Sequence, residues 1–174
     1  MKLERVIISQ EEIQARVAQL GAEISRDYEG KELFVICILK GAFIFMADLI
    51  RHIDVPLEVD FMSLSSYGKS TQTSGAVRMI RDLDQEVNGK DVLVVEDIID
   101  TGLTLSYLKE NLKARKPNSL KFCTFLDKPS RRKVEFAPDY SGVEIEDYFV
   151  VGYGLDYQEK GRELPFIGVV ESTE

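Results

Sequence analysis

The chain has few of the residue types that build disulfide frameworks, zinc sites or catalytic triads. It contains two cysteines and one histidine in 174 residues. Cys37 and Cys123 each lie in an apolar run typical of a buried strand, where a thiol acts as a small hydrophobic group. A histidine-rich metal cluster is excluded, and a Ser/His/Asp triad is possible only through His52. We expect His52 at the surface, near the end of an apolar helix.

Long hydrophobic runs and an excess of positive charge are also missing. No apolar run approaches the roughly 18 residues of a membrane-spanning helix, so we expect no membrane insertion and a cytoplasmic protein. The formal net charge is −8 and the pI about 4.8, which argues against nonspecific binding to nucleic acid or to a membrane surface, although a local basic groove remains possible. With 44% hydrophobic residues, the chain is expected to form one domain over residues 1–174.

Hydrophobic periodicity predicts an α/β fold. Ser9 followed by Glu12 forms a capping box, and apolar residues then repeat at helical spacing until Gly30. Strands are predicted at residues 33–39, 57–64, 77–80, 92–95, 119–126, 148–153 and 166–170, and helices at residues 42–53 and along Leu105, Leu108 and Leu112. Strands that are apolar on both faces and alternate with helices predict a mostly parallel central sheet flanked by helices.

Four loops are expected at the carboxyl ends of these strands, where ligands bind in open α/β sheets. They are Lys40-Gly41 and residues 96–104, 127–132 and 156–162. A further segment, residues 65–75, loses all apolar periodicity and is predicted to be a mobile loop. Its length and position favour a lid over an idle surface loop.

Residues 92–105 carry the most informative motif. A buried apolar run ends in Glu96 and Asp97, and Asp100-Thr-Gly then opens a helix. Unpaired amides at a helix start bind anions, which predicts a phosphate cradle. Acids beside a phosphate would repel it unless they bind sugar hydroxyls, hold a divalent cation or move a proton. An Asp-Thr-Gly turn alone is more often an ordinary helix start, but three acids in five positions favour a phosphorylated sugar with magnesium.

The sequence from Glu96 to Thr104 resembles the phosphoribosyl diphosphate signature of type I phosphoribosyltransferases. Other segments recur in the order found in hypoxanthine-guanine phosphoribosyltransferases, namely Leu39-Lys-Gly-Ala42, Ser66-Tyr67, Asp127-Lys128 and Phe149-Val-Val-Gly-Tyr-Gly-Leu-Asp156. The similarity covers about residues 33–170. It implies the type I fold with a small hood region beside the sheet, and a reaction that joins a 6-oxopurine to the ribose of phosphoribosyl diphosphate.

The resemblance also implies roles for the residues of the motif. Asp100 would face N7 of the purine as general base or acid. Glu96 and Asp97 would face the ribose hydroxyls and Mg²⁺, and Asp156 would also meet a magnesium ion. The 5-phosphate would be held by Asp100, Thr101, Gly102, Leu103, Thr104 and Leu105, with main-chain amides supplying the share that the Leu103 side chain lacks.

Further roles follow from the same resemblance. Pyrophosphate would be bound by Lys40, Gly41 and Arg162, with a Leu39–Lys40 peptide that is often cis in the family. For the purine, Lys128 would donate to O6, Phe149 would stack on the ring, the main chain of Val150 would read its edge, and Asp156 would lie nearby. Ser66 and Tyr67 would begin the lid. Without the family pattern, Lys40 is interpreted as a polar residue at the end of a strand, and Arg131-Arg132-Lys133 as a solvated turn.

The leading hypothesis is therefore a magnesium-dependent purine salvage transferase, expected as a homodimer or homotetramer. A regulator of the same fold that senses phosphoribosyl diphosphate and binds nucleic acid is the main alternative, although the acidic charge opposes it. A pyrimidine- or adenine-specific transferase is a third, which predicts no lysine facing O6. The preference among hypoxanthine, guanine and xanthine is not predicted by the sequence.

Overall fold

The computed structural model describes residues 1–66 and 77–171. These residues form a six-stranded central sheet, a three-stranded small sheet and three α-helices. In chain order the elements are β1 (Leu3–Ile8), α1 (Gln10–Asp27), β2 (Leu33–Leu39), α2 (Phe43–Ile50), β3 (Leu57–Ser66), β4 (Val77–Arg81), β5 (Asp91–Ile99), α3 (Leu103–Lys113), β6 (Ser119–Asp127), a 3₁₀ turn (Pro129–Arg131), β7 (Tyr140–Glu144), β8 (Val150–Val151) and β9 (Ile167–Val170). None of the helices in this part of the chain is both long and apolar enough to cross a membrane.

The central sheet has the strand order β4-β3-β2-β5-β6-β7. Its neighbouring strands run parallel except for β4, which pairs with β3 antiparallel. Alternate residues of β2 belong to different cores: Val35 and Cys37 pack with α1 and α2, whereas Phe34 and Ile36 pack with α3. Because side chains alternate between the faces of a strand, the helices cover both faces of the sheet. The predicted α/β fold is confirmed.

Several predicted elements are confirmed in detail. Strand β2 has the predicted bounds, and Ser9 and Glu12 form the predicted capping box, with the Glu12 amide 3.2 Å from Ser9 Oγ and the Ser9 amide 2.7 Å from Glu12 Oε2. Cys37 and Cys123 are buried free thiols, and His52 is exposed. Burial, followed by the nearby charges of Glu96 and Asp97, raises the pKa of Cys37 to about 12.

Other elements differ from the prediction. Helix α2 is shorter than residues 42–53, since it ends at Ile50. Strand β5 is longer than residues 92–95, because its ladder with β6 continues through Glu96 opposite Thr124 and Ile98 opposite Leu126. The acids of the motif therefore lie at the end of a strand. Strand β7 was not predicted, because its sequence Tyr-Ser-Gly-Val-Glu has little apolar character.

The small sheet has the order β1-β9-β8 and is antiparallel. It corresponds to the expected hood. Strand β1 was not predicted, because its three central residues are charged or exposed. The predicted strand 148–153 is reduced to Val150–Val151, because the chain turns at Gly152, where φ is 106°.

Candidate active site

The candidate site lies where the carboxyl ends of β2, β5 and β6 meet. Lys40-Gly41, residues 100–102 and residues from 128 onward follow these strands. The fourth predicted loop, residues 156–162, was expected to follow a strand of the central sheet. In the structure it comes after β8 of the small sheet. It is joined to the central sheet through Gly154, where a Cβ atom would collide with the carbonyl oxygen of Gly41. The site is therefore built from both sheets.

The predicted phosphate cradle is a turn between β5 and α3. Gly102 precedes the helix with φ 80°, a left-handed conformation that glycine adopts without strain. The amide of Ser106 makes the first intrahelical bond to Gly102, at 2.9 Å, which leaves the amides of the first turn without intrahelical partners. Two groups of this turn bond internally: the Thr101 amide donates to Asp100 Oδ1 at 2.6 Å, and the Leu103 amide donates to Thr101 Oγ1 at 3.3 Å. An incoming anion would exchange these bonds for its own.

A cavity of about 70 Å³ opens between this turn and the acids of β5. It brings together most of the predicted phosphate and ribose residues. Its lining consists of Glu96, Asp97, Ile98, Ile99, Asp100, Gly102, Thr104 and Leu105.

Glu96 is buried and Asp97, the next residue, is half-buried, and their two carboxylates lie close together. Burial raises the pKa of Glu96 well above its usual range, and the Asp97 charge raises it further. Burial also raises the pKa of Asp97. A Cβ atom on Gly41 would collide with Asp97 Oδ2, so the Lys40-Gly41 loop lies directly against this pair. Burial is the main cause of both shifts, and it favours the neutral form of each carboxyl group.

The predicted metal residues do not form a single ion site. Within residues 1–66 and 77–171, no three acidic, histidine or cysteine residues are grouped as a metal site. Glu96 and Asp97 are adjacent, whereas Asp156 forms an ion pair with Arg162, with 3.1 Å between Asp156 Oδ1 and Arg162 Nη2. A site with only two protein carboxylates suits Mg²⁺, which usually keeps several waters and substrate oxygens in its shell.

The predicted pyrophosphate residues meet around the loop from β8. The Leu39–Lys40 peptide is cis. Arg162 Nη1 donates to the carbonyl of Gly154 at 2.7 Å, and Lys40 Nζ lies 2.9 Å from Glu159 Oε2. Lys40, Gly41 and Arg162 therefore lie together, although Arg162 is more than 120 residues from the other two along the chain.

Three of the four predicted purine residues, Lys128, Phe149 and Val150, lie close together, whereas Asp156 pairs with Arg162. Lys128 Nζ donates to the carbonyl of Tyr148 at 2.5 Å and lies 3.6 Å from Asp147 Oδ1. The Phe149 ring is 59% exposed and meets the edge of Tyr157, with centroids 5.6 Å apart. Val150 is buried in β8. The lysine thus points at the segment that presents an open aromatic face.

The lid residues are only partly within the described chain. Ser66 is the last residue of β3. Tyr67 and the rest of the predicted loop, up to residue 75, lie outside the described residues, so the lid stays a prediction.

Comparison with known proteins agrees with this arrangement. A family model for the phosphoribosyl transferase domain matches residues 9–158. The hypoxanthine-guanine phosphoribosyltransferase of Bacillus subtilis is 56% identical over 169 residues, which are 97% of this chain and 94% of that protein. The chain belongs to the hypoxanthine-guanine phosphoribosyltransferase family. The hypoxanthine phosphoribosyltransferase of Salmonella typhimurium is 51% identical over 95% of this chain and 94% of its own length.

Solved structures of the family are equally similar. The crystal structure of a hypoxanthine-guanine phosphoribosyltransferase from Bacillus anthracis, with a HEPES molecule in its active site, has a TM-score of 0.94 and 52% identity. The match covers 98% of this chain and 100% of that one. A hypoxanthine phosphoribosyltransferase from Staphylococcus aureus has a TM-score of 0.94 and 48% identity, over 97% of this chain and 92% of that one.

One residue of this phosphoribosyltransferase site was wrongly interpreted from the sequence. Arg132 does not lie on a solvated turn. Its Nη2 pairs with Asp127 at 2.7 Å, its Nη1 donates to the carbonyl of Asp100 at 2.9 Å, and its Nε donates to the carbonyl of Phe136 at 3.0 Å. Its side chain is only 17% exposed. Arg132 therefore ties the start of the cradle to the end of β6.

Arg132 also packs closely against Gly102, the glycine of the cradle. A Cβ atom on Gly102 would lie 3.2 Å from both Arg132 Cδ and Val134 Cγ2. The Lys133 amide also donates to the carbonyl of Thr101 at 2.9 Å. The segment after β6 thus packs along the whole cradle, a role for which the basic run Arg131-Arg132-Lys133 gave no signal.

Proposed function

We propose that this protein transfers the 5-phosphoribosyl group from phosphoribosyl diphosphate to hypoxanthine, guanine or both, giving IMP or GMP and pyrophosphate, with Mg²⁺ as cofactor. The observation that carries the proposal is the convergence of three groups at the carboxyl ends of the central strands. They are an anion cradle at the start of α3, the carboxylates of β5 beside it, and Lys128, which donates to the carbonyl of Tyr148 next to the exposed Phe149. Relatives that match nearly the whole chain carry hypoxanthine-guanine phosphoribosyltransferase names.

The cradle and the acids are suited to the sugar half of the substrate. Amides of the first turn of α3 hold the 5-phosphate, and Glu96 and Asp97 accept hydrogen bonds from the ribose 2- and 3-hydroxyls. As the bond from C1 to pyrophosphate breaks, positive charge develops on the ribose ring. Partly buried carboxylates close to that ring stabilise this charge more strongly than they would in water.

The proton and the leaving group are handled by different residues. The purine N9 forms the new bond to C1 as the bond from C1 to pyrophosphate breaks, and Asp100, as general base, takes up the proton that N7 loses. The departing pyrophosphate is bound by the Lys40-Gly41 loop and by Arg162, whose planar guanidinium can bind two of its oxygens. Its negative charge is thereby held while the new glycosidic bond forms.

Mg²⁺ fits the donor set of the site. Glu96 and Asp97 would hold one ion and Asp156 another, with the remaining ligands supplied by substrate and water. When bound, the cation neutralises pyrophosphate charge and assists its departure. The position of Glu96 and Asp97 beside the phosphate cradle supports this assignment, because carboxylate oxygens are the ligands that Mg²⁺ prefers.

The base half of the site favours 6-oxopurines. The Lys128 ammonium can only donate hydrogen bonds, so it can pair with O6 of hypoxanthine or guanine but not with the 6-amino group of adenine. Phe149 offers a face for stacking on the purine. This arrangement supports a hypoxanthine-guanine enzyme over an adenine- or pyrimidine-specific one.

Turnover tests the proposal directly. The protein is mixed with phosphoribosyl diphosphate, MgCl₂ and hypoxanthine, guanine or adenine at equal concentration, and nucleotide formation is followed by ultraviolet absorbance. We expect turnover with the oxopurines and a loss of about 10²- to 10⁴-fold in kcat for Asp100→Asn. Asp54→Asn is the matched control. Asp54 is exposed and precedes β3, at the amino ends of the strands and away from the site, so this substitution should leave kcat unchanged.

Other outcomes would point elsewhere. Retention of RNA without turnover would favour the regulator, and a preference for adenine would contradict the role of Lys128. Assembly as a homodimer or homotetramer and a cytoplasmic location stay predictions, which sedimentation and cell fractionation would test.

A further inference from the structure

Glu159 lies between the two cations that are assigned to pyrophosphate. Its Oε2 is 2.9 Å from Lys40 Nζ and 3.6 Å from Arg162 Nη2. The same arginine nitrogen lies 3.1 Å from Asp156 Oδ1. One carboxylate oxygen of the protein thus contacts both positive groups, as an oxygen of a bound diphosphate would.

The backbone that carries Glu159 is an unusual turn. Tyr157 and Lys160 exchange amide-to-carbonyl bonds of 2.9 and 3.1 Å, and the two residues between them, Gln158 and Glu159, have φ of 51° and 64°. Turns of this type favour Asn-Gly or other glycine-containing pairs, because both central residues have positive φ. Turn propensity therefore does not account for glutamate here. The Glu159 amide donates to Asp156 Oδ2 at 2.8 Å, which fixes the turn to the same acid that pairs with Arg162.

The charge environment of Glu159 is that of a bound anion. The Lys40 ammonium and the Arg162 guanidinium, which contact its carboxylate, are both positive. Its side chain and that of Lys40 are 68% and 65% exposed. Pairs so exposed are weak and easily exchanged, so a polyanionic ligand can displace the carboxylate.

We propose that Glu159 is an internal competitor of pyrophosphate: in the free enzyme its carboxylate binds Lys40 and Arg162, and it returns to them when the product leaves. This proposal rests on the function proposed above, which assigns these two cations to the diphosphate. Glu159 touches neither reacting atom. It tunes the affinity for the diphosphate group and, through it, the release of product.

The test is calorimetric binding of magnesium pyrophosphate to the whole protein. Glu159→Gln keeps the side-chain shape but removes the charge, and we expect it to lower the Kd for pyrophosphate about threefold, in the range expected for exposed ion pairs. The difference from wild type should shrink as salt is raised from 50 mM to 0.5 M, because exposed charges are screened. The KM for phosphoribosyl diphosphate should fall with it, while the KM for hypoxanthine is unchanged.

Glu163→Gln is the matched control. Glu163 is exposed and follows Arg162 in the chain, whereas the carboxylates that pair with Lys40 and Arg162 are Asp156 and Glu159. The control removes the same charge from the same loop and should leave the Kd unchanged. Glu159→Ala, as a second variant, should behave as Glu159→Gln does.

The outcomes separate the two proposals. Wild-type protein without transferase turnover would overturn the proposed function. Normal turnover with an unchanged or higher Kd in Glu159→Gln would overturn only the competitor role. Equal tightening in Glu163→Gln would also overturn it, since the effect would then reflect general charge and not the position of Glu159.

Discussion

The two halves of the site are built in different ways. The half on the central sheet, with Gly41, Glu96 and Asp97, is closely packed and partly buried, and its groups are placed by neighbouring parallel strands. The half on the small sheet, with Phe149 and Glu159, is exposed and held largely by ion pairs and a short turn. A closely packed half suits a constant ligand, the ribose phosphate, whereas an exposed half suits the purine, which must enter and leave. Pyrophosphate lies between the halves, since it is assigned both to the Lys40-Gly41 loop and to Arg162.

Among the tests of this contrast, the largest effect is expected from disturbing the packing of the central-sheet half. Gly41→Ala places a Cβ atom where Asp97 Oδ2 now lies, so the Lys40-Gly41 loop must move away from the carboxylate pair. A displacement of this kind, of about 1 Å, costs roughly 100-fold in rate when it separates catalytic groups. We therefore expect kcat/KM for phosphoribosyl diphosphate to fall about 100-fold, measured by steady-state kinetics.

Gly30→Ala is the control for Gly41→Ala. Gly30 has φ 75° and nothing within 4 Å of its would-be Cβ atom, so alanine there strains the backbone without touching the site. It should lower the free energy of unfolding by about 1 kcal/mol and leave kcat/KM intact. Normal kinetics in Gly41→Ala would show that the central-sheet half is less rigid than its packing indicates.

The two halves also differ in how far they could be predicted from the sequence. Strand β2, helix α1 and the acid-rich motif carry periodic or chemical signals that need no tertiary information, and they were predicted from the residues themselves. Asp156 and Arg162 were placed only through the family resemblance, because β8 has two residues and the turn after it has no periodicity. Arg132 was misread, because its partners are carbonyls of distant segments that only the folded chain brings together.

The second prediction concerns the base. Lys128→Met removes the ammonium that is directed at the segment before Phe149 while keeping a long side chain. A hydrogen bond from a charged group is worth about 1.5–3 kcal/mol, so kcat/KM for hypoxanthine should fall about 10- to 100-fold, with the 5-phosphate interaction unaffected. Steady-state kinetics with hypoxanthine and adenine would measure both the loss and the weakened discrimination.

Lys133→Met is the matched control for Lys128→Met. Lys133 is exposed five residues further along the chain, and its substitution should leave both kinetic constants unchanged. An equal loss in the two variants would mean that general positive charge, and not the position of Lys128, selects the base.

The third prediction tests the link between the cradle and β6. Arg132→Lys keeps the charge but cannot make the three hydrogen bonds to Asp127, Asp100 and Phe136 at once. We expect the free energy of unfolding to fall by about 2 kcal/mol, since buried acceptors lose their donors. Urea denaturation would measure it. Arg131→Lys, whose side chain is 48% exposed and pairs only at the surface with Asp147, should change stability by less than about 0.5 kcal/mol; equal effects would show that Arg132 is no more important than its solvated neighbour.

The smallest expected effect concerns Cys37, which lies on β2 behind the acid pair. Its thiol is fully buried, and its pKa of about 12 leaves almost no thiolate at pH 8, so iodoacetamide should label the native protein far more slowly than the urea-unfolded one. Between pH 9 and 12 the folded thiol keeps a proton that the unfolded thiol loses, so this group lowers stability as pH rises through that window. Cys123→Ala isolates the Cys37 signal. Rapid labelling of this variant at pH 8 under native conditions would mean that the central-sheet half opens readily, and the contrast between a closely packed and an exposed half would fail.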